Sequence, residues 1–107
     1  MSINEFKYNI ITLCGSIKFK DEFIKVYEKY TLGGNIVLTP NFFNNMKKEN
    51  IDKKTKQMLD GMHKQKIDMS DEIYVINVGG YIGESTKSEI KYAEAKGKKI
   101  SYLESIK

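Results

Sequence analysis

Apolar positions along this chain switch between two periods. Tyr8 to Cys14 (YNIITLC) is a short β-rich run closed by Gly15-Ser16. From Phe19 to Tyr30 the spacing changes, and Phe19, Phe23, Val26, Tyr27 and Tyr30 recur as one face of a helix. Gly33-Gly34 ends that helix by offering the positive φ that a C-terminal cap needs. Asn35 to Thr39 (NIVLT) reads as a second buried strand, stopped by Pro40. Asn41 to Asp52 is polar apart from Phe42, Phe43, Met46 and Ile51, and reads as a loop or loosely ordered lid. Lys53 to about Ser70 is a second helix with Met58, Leu59, Met62, His63 and Ile67 on one face, its methionines read as core filler. Glu72 to Val78 (EIYVINV) is the third strand. Ser85 to Lys96 is a third helix with Ile90, Tyr92 and Ala93 facing inward and Gly97 as its stop, and Lys99 to Leu103 (KISYL) is the last strand.

Strands alternating with helices imply parallel pairing through right-handed crossovers. The pattern therefore predicts one compact three-layer α/β domain over 1–107, Rossmann-like and more closely flavodoxin-like, with about four parallel strands. At 107 residues the chain can bury one modest core. A deep pocket is harder to build at that size, so a homodimer or higher homo-oligomer is expected.

The formal charge of +4 comes with no arginine. Arginine is the usual residue for bidentate contacts to guanine and phosphate, so specific DNA binding is not expected. The lysines around Lys47, Lys48, Lys53, Lys54 and Lys56 read as a solvated helix face. One cysteine, Cys14, precludes an internal disulfide and fits a reducing cytoplasm. No apolar run has membrane length and no signal peptide is read, so neither membrane insertion nor export is expected. The sequence shows no Cys/His cluster at metal-ligand spacing, so neither a metal nor another cofactor is expected.

In an open parallel sheet, ligands bind beyond the carboxyl ends of the strands. Strand one delivers Gly15, Ser16 and Lys18 to that edge, and strand two delivers Asn41, Phe42 and Phe43. Strand three delivers Asn77 and the segment Gly79-Gly80-Tyr81-Ile82-Gly83-Glu84-Ser85-Thr86-Lys87-Ser88-Glu89. Glycines let backbone approach a ligand, and the first N–H groups of the following helix suit an anion. Ser85 or Thr86 is the expected N-cap. With Ser88, they can also hold a sugar hydroxyl or phosphate, and Phe42, Phe43 or Tyr81 can stack on a base. Glu89 lies one turn into the helix. A reference pKa of about 4.3 would keep it ionised at neutral pH.

Cys14-Gly15-Ser16-Ile17-Lys18, the acidic helix end before strand three, Ser88-Glu89-Ile90-Lys91-Tyr92-Ala93 and Gly97-Lys98 together resemble the nucleoside 2-deoxyribosyltransferase superfamily, which includes small hydrolases of deoxynucleoside monophosphates. The resemblance follows element order along almost the whole chain. It implies cleavage of an N-glycosidic bond, or (deoxy)ribosyl transfer, on a nucleoside or nucleoside 5′-monophosphate. Glu89 then matches the glutamate that attacks the anomeric carbon, and Lys18 stands where the family has arginine. The family aspartate eight residues before the position of Asp71 falls on His63, which is read as a candidate to protonate the leaving base. Cys14-Gly15-Ser16, Gly79-Gly80-Tyr81, Thr86 and Glu89 also resemble the phosphoribohydrolases that release cytokinin bases. A third reading, favoured by His63 at the aspartate position, is a nucleotide-binding module without turnover. Asp71 and Cys14 are read as structural.

Overall fold

In the computed structural model, residues 7–41 and 51–106 are described. The chain forms β1 (Asn9–Gly15), α1 (Lys20–Leu32), β2 (Asn35–Leu38), α2 (Lys53–Asp68), β3 (Glu72–Ile76), α3 (Glu84–Ala95) and β4 (Lys99–Tyr102). Single 3₁₀ turns at Ile17–Phe19 and Val78–Gly80 follow β1 and β3. The proposed lid, including Phe42, Phe43 and Met46, falls largely outside the described residues.

All four strands are parallel, in the order β2-β1-β3-β4. This is the α/β arrangement expected from the alternating pattern, with the spatial order of a flavodoxin-like fold. The chain leaves β1 toward β2 on one side and returns to β3 on the other. The reversal point therefore lies between the carboxyl ends of β1 and β3, at Gly15 and Ile76, which pair in register.

Side chains alternate across the sheet and build two cores. Ile11, Leu13 and Ile76 pack with Phe23 and Val26 of α1 on one face. Cys14, Ile73 and Val75 pack with Ile67 of α2 and Ala93 of α3 on the other. Asp71, just ahead of β3, accepts a 2.8 Å hydrogen bond from the Ile10 N–H, and its own N–H donates to the Ile10 carbonyl at 2.9 Å. It thereby sets the start of the β1–β3 pairing, the structural part expected of it.

The methionines of α2 are not core filler. Met58 and Met62 are 56% and 44% exposed. The inward stripe of α2 is narrow, running Leu59, His63, Ile67 at four-residue spacing. A residue one position earlier is rotated about 100° away from that stripe.

The start of α3 also differs from expectation. Gly83, not Ser85 or Thr86, is the N-cap, and no side chain caps the helix. A Cβ on Gly83 would meet the Tyr81 hydroxyl at 3.2 Å.

Candidate active site

Three side chains from three different elements meet beneath the α2–α3 side of the sheet's carboxyl edge. Cys14 is the penultimate residue of β1, His63 lies on the inward stripe of α2, and Glu89 lies in the second turn of α3. The His63 Nε2 is 3.5 Å from the Cys14 Sγ and 3.7 Å from a Glu89 carboxylate oxygen. The other ring nitrogen, Nδ1, is buried with no side-chain partner. Above them opens a cleft of about 250 Å³ lined by Asp60, Lys64, Glu84, Ser85, Ser88 and Glu89. Glu89 is thus the member of the triad that reaches the cleft.

Burial sets the protonation of the group. It pushes the Glu89 carboxyl up to about 7, against a weaker pull down from the Cys14 thiol. The reference-value expectation of a fully ionised Glu89 is therefore corrected: at neutral pH the carboxyl is poised between its two forms. Burial, with help from the Lys66 ammonium, pushes His63 down to about 4, so the ring is neutral at pH 7. Burial raises the Cys14 thiol as well, and the Glu89 charge adds to that. The 3.7 Å approach of His63 to Glu89 is accordingly not an ion pair of a cationic ring at neutral pH. At 3.7 Å it is a close approach, longer than a hydrogen bond.

His63 was expected to protonate a leaving base. It is 7% exposed, is not among the residues lining the cleft, and titrates well below neutrality. It lies behind Glu89 as seen from the cleft.

The remaining expected residues divide. Ser85 joins Glu89 in the cleft, but Thr86 is 4% exposed and turned into the protein. Lys18 gathers with Phe19, Tyr81 and Gly83 in a neighbouring cluster: the Lys18 ammonium lies 3.7 Å from the Tyr81 ring centroid, and Phe19 meets that ring edge-on, while Gly15 lies against Ile76 and Phe23. The Ser16 hydroxyl accepts from the Lys18 N–H at 3.4 Å and caps the turn. Asn41 belongs elsewhere, in a cleft of about 480 Å³ beside α1 and β2 with Phe23, Tyr27 and Lys66. Phe42 lies outside the described residues.

Asn77 is corrected from ligand contact to clamp. It is fully buried, donating 3.0 Å to the Glu104 carbonyl and accepting 2.8 Å from the Glu104 N–H. The same Glu104 turns its carboxylate onto the Gly79 N–H at 2.7 Å, so this loop amide already holds an anion from its own chain. Asn77→Ala breaks both backbone contacts and is expected to cost about 2 kcal/mol, read as a lower urea midpoint. An unchanged midpoint would show that the Glu104 segment is not held by this side chain.

Ser88 lines the cleft as expected, whereas Cys14, Asp60 and Lys64 were missed as site residues. The fold gathers three metal-type donors, Cys14, His63 and Glu89, that sequence spacing does not show. Asp60, His63 and Lys64 share one face of α2 at three- and four-residue spacing. Ser85, Ser88 and Glu89 do the same on α3. That periodicity was a usable signal. Cys14 gave none, because a cysteine ending a buried strand looks like packing.

No family model matches the sequence, and no curated protein matches it. Among solved structures, a conserved protein from Enterococcus faecalis V583 matches with a TM-score of 0.64 at 19% identity, over 90% of this chain and 63% of that one. The chain thus spans under two-thirds of that neighbour's length, and the likeness establishes the shared α/β fold.

Proposed function

We propose that the protein breaks an N-glycosidic bond of a nucleoside or nucleoside 5′-monophosphate, with Glu89 as the attacking carboxylate. The observation that carries this reading is the position of Glu89: a nearly buried carboxyl, beside His63 and Cys14, at the wall of a small polar cleft on the reversal edge of the sheet. A nucleobase leaving a sugar develops positive charge at the anomeric carbon, which a carboxylate stabilises or traps. In the trapping step a Glu89 oxygen bonds to that carbon as the carbon–nitrogen bond breaks. The bonding electrons go to the base nitrogen, which takes up a proton. Water or a second base then releases the sugar.

The cleft supplies matching groups. Ser85, Ser88 and the uncapped first N–H groups of α3 suit sugar hydroxyls or a 5′-phosphate. Asp60 and Lys64 are the titratable groups from α2, and the proton for the base comes from that wall or from water. The motif likeness to nucleoside 2-deoxyribosyltransferases supports the same chemistry. On this reading the protein works in the cytoplasm, where nucleotides and a free thiol belong, as a homo-oligomer that deepens the cleft.

Chelator-treated protein incubated with a panel of nucleosides and 5′-monophosphates is expected to release free base from at least one. No release across the panel, combined with thermal stabilisation by the same compounds, would replace the enzyme by a nucleotide-binding module. Neither release nor stabilisation would remove the cleft as a nucleotide site.

A further inference from the structure

We propose that Cys14, His63 and Glu89 bind one zinc ion, and that the bound ion shuts off Glu89. The second half rests on the reading of Glu89 given above; the first half does not.

The three donor atoms lie within 4.8 Å of one another. Zinc bonds to sulfur at about 2.3 Å and to imidazole nitrogen or carboxylate oxygen at about 2.0–2.2 Å, in a tetrahedron. The edges of such a tetrahedron are about 3.6 Å from sulfur to nitrogen and about 3.4 Å from nitrogen to oxygen. The structure has 3.5 Å from the Cys14 Sγ to the His63 Nε2 and 3.7 Å from that nitrogen to the Glu89 oxygen. Those two edges need change by only a few tenths of an ångström. The third, about 3.6 Å from sulfur to oxygen in the same tetrahedron, is reached by drawing Cys14 and Glu89 together within a group that spans up to 4.8 Å.

The convergence of two groups on one ring nitrogen is the decisive detail. A thiol–imidazole–carboxylate relay for nucleophilic catalysis places thiol and acid on opposite nitrogens. Here both face Nε2, and Nδ1 is buried with no side-chain partner. One atom wanted by two neighbours is the arrangement that a shared cation satisfies.

The chemistry of the set selects the ion. Thiolate, imidazole and carboxylate together suit zinc, whereas magnesium and calcium prefer oxygen donors alone. The thiolate and carboxylate carry two negative charges, so the dication is neutralised where uncompensated charge is costly. On binding, the thiol gives its proton to the buffer, as does the carboxyl when it holds one, and nothing is oxidised or reduced. Each donor stands on a strand or helix, which fixes the site without a loop. Glu89 alone reaches the cleft, so entry and the fourth coordination position lie on that side. An ion there draws negative charge from the carboxylate and stands at its cleft side, which weakens it as a nucleophile toward a sugar.

Cobalt(II) is the probe, since it takes zinc sites and is coloured. Chelator-treated protein titrated with cobalt is expected to saturate at one equivalent, with the strong visible bands of a tetrahedral ion and a near-ultraviolet thiolate-to-cobalt band. The chain has one cysteine, so that band alone identifies Cys14 without any variant. Zinc should displace the cobalt and erase both bands. Cys14→Ser should lose the thiolate band, and His63→Ala should weaken binding ~100-fold or more, beyond the ~10–100-fold cost of an outer-sphere partner. No thiolate band in the wild-type protein, or a one-equivalent site that survives both variants, would overturn the zinc site. Base release is measured on the same samples. Release that continues undiminished with one zinc bound would overturn the shut-off. A thiolate band in a protein that never releases base would keep the zinc site and end the reading of Glu89 as an attacking group.

Discussion

Glu89→Gln is expected to abolish base release while making the folded protein more stable at pH 8. Loss of turnover should be ~10³-fold or more, a mid-range value for one proton-transfer group and a lower bound for a lost nucleophile. The stability gain comes from the same burial. A carboxyl held at about 7 in the fold and at 4.5 when unfolded binds more protons in the native state between those values. Stability therefore falls as pH rises from 4.5 to 7, by about 1.4 kcal/mol per unit, and stays about 3 kcal/mol lower above that.

His63 runs the other way. Its ring goes from 6.5 unfolded to about 4 folded, so the unfolded state binds more protons between those values, and stability rises with pH across that window. Between pH 4.5 and 6.5 the two slopes cancel. Unfolded, the pair keeps its one proton on the histidine; folded, it still keeps one proton. The wild-type protein should accordingly show little pH dependence from this pair between pH 4.5 and 6.5. Glu89→Gln should expose the histidine slope, gaining about 3 kcal/mol between pH 4 and 6.5. His63→Gln should expose the carboxyl slope, losing about as much between pH 4.5 and 7. Urea midpoints of chelator-treated protein at half-unit pH steps read all three curves. Parallel curves for the wild type and Glu89→Gln would show that Glu89 titrates alike in both states. On the activity side, attack needs the ionised carboxylate, so base release should rise through pH 7 and level off above it.

The fold was legible because each strand announces itself as a short β-rich apolar run bracketed by glycine, proline or polar residues. NIITLC, NIVL, EIYVI and KISY all pair where that pattern puts them, and the ends shift by no more than two residues. Glu89 was legible too, since it follows a glycine-rich turn in a helix that opens at the sheet's carboxyl edge. Its protonation was not, because a reference pKa carries no information about burial, and burial depends on what α2 lays across it. The triad was hidden for a related reason. Positions 14, 63 and 89 sit in three elements, and only the β2-β1-β3-β4 order with α2 and α3 on one face brings them together. Asn77 shows the opposite error: a polar residue after a strand suggested a ligand contact, whereas the Glu104 backbone consumes both ends of its amide.

Gly15→Ala is expected to destabilise the fold by about 3 kcal/mol or more, from two costs that add at one atom. Gly15 has φ +151°, a region L side chains rarely adopt, and strain of this kind costs on the order of 1–3 kcal/mol. A Cβ there would also stand 2.8 Å from the Ile76 carbonyl oxygen, 3.1 Å from the Ile76 Cβ and 3.2 Å from the Phe23 ring. The first neighbour is backbone and paired in register with Gly15, so it cannot swing aside as a flexible side chain would. Relief has to come from parting β1 and β3 at the reversal edge, and overpacking of this sort costs roughly 1–3 kcal/mol more. The glycine expected to make room for a ligand thus first makes room for the neighbouring strand. The substitution also reaches the site, because Cys14 precedes Gly15 on the strand that must move. A fall in urea midpoint matching about 3 kcal/mol, with a weaker thiolate-to-cobalt band in whatever protein stays folded, is the expected pair of results. A Gly15→Ala protein as stable as wild type would mean that β1 and β3 can separate at this edge without loss, and that the edge is softer than its pairing indicates.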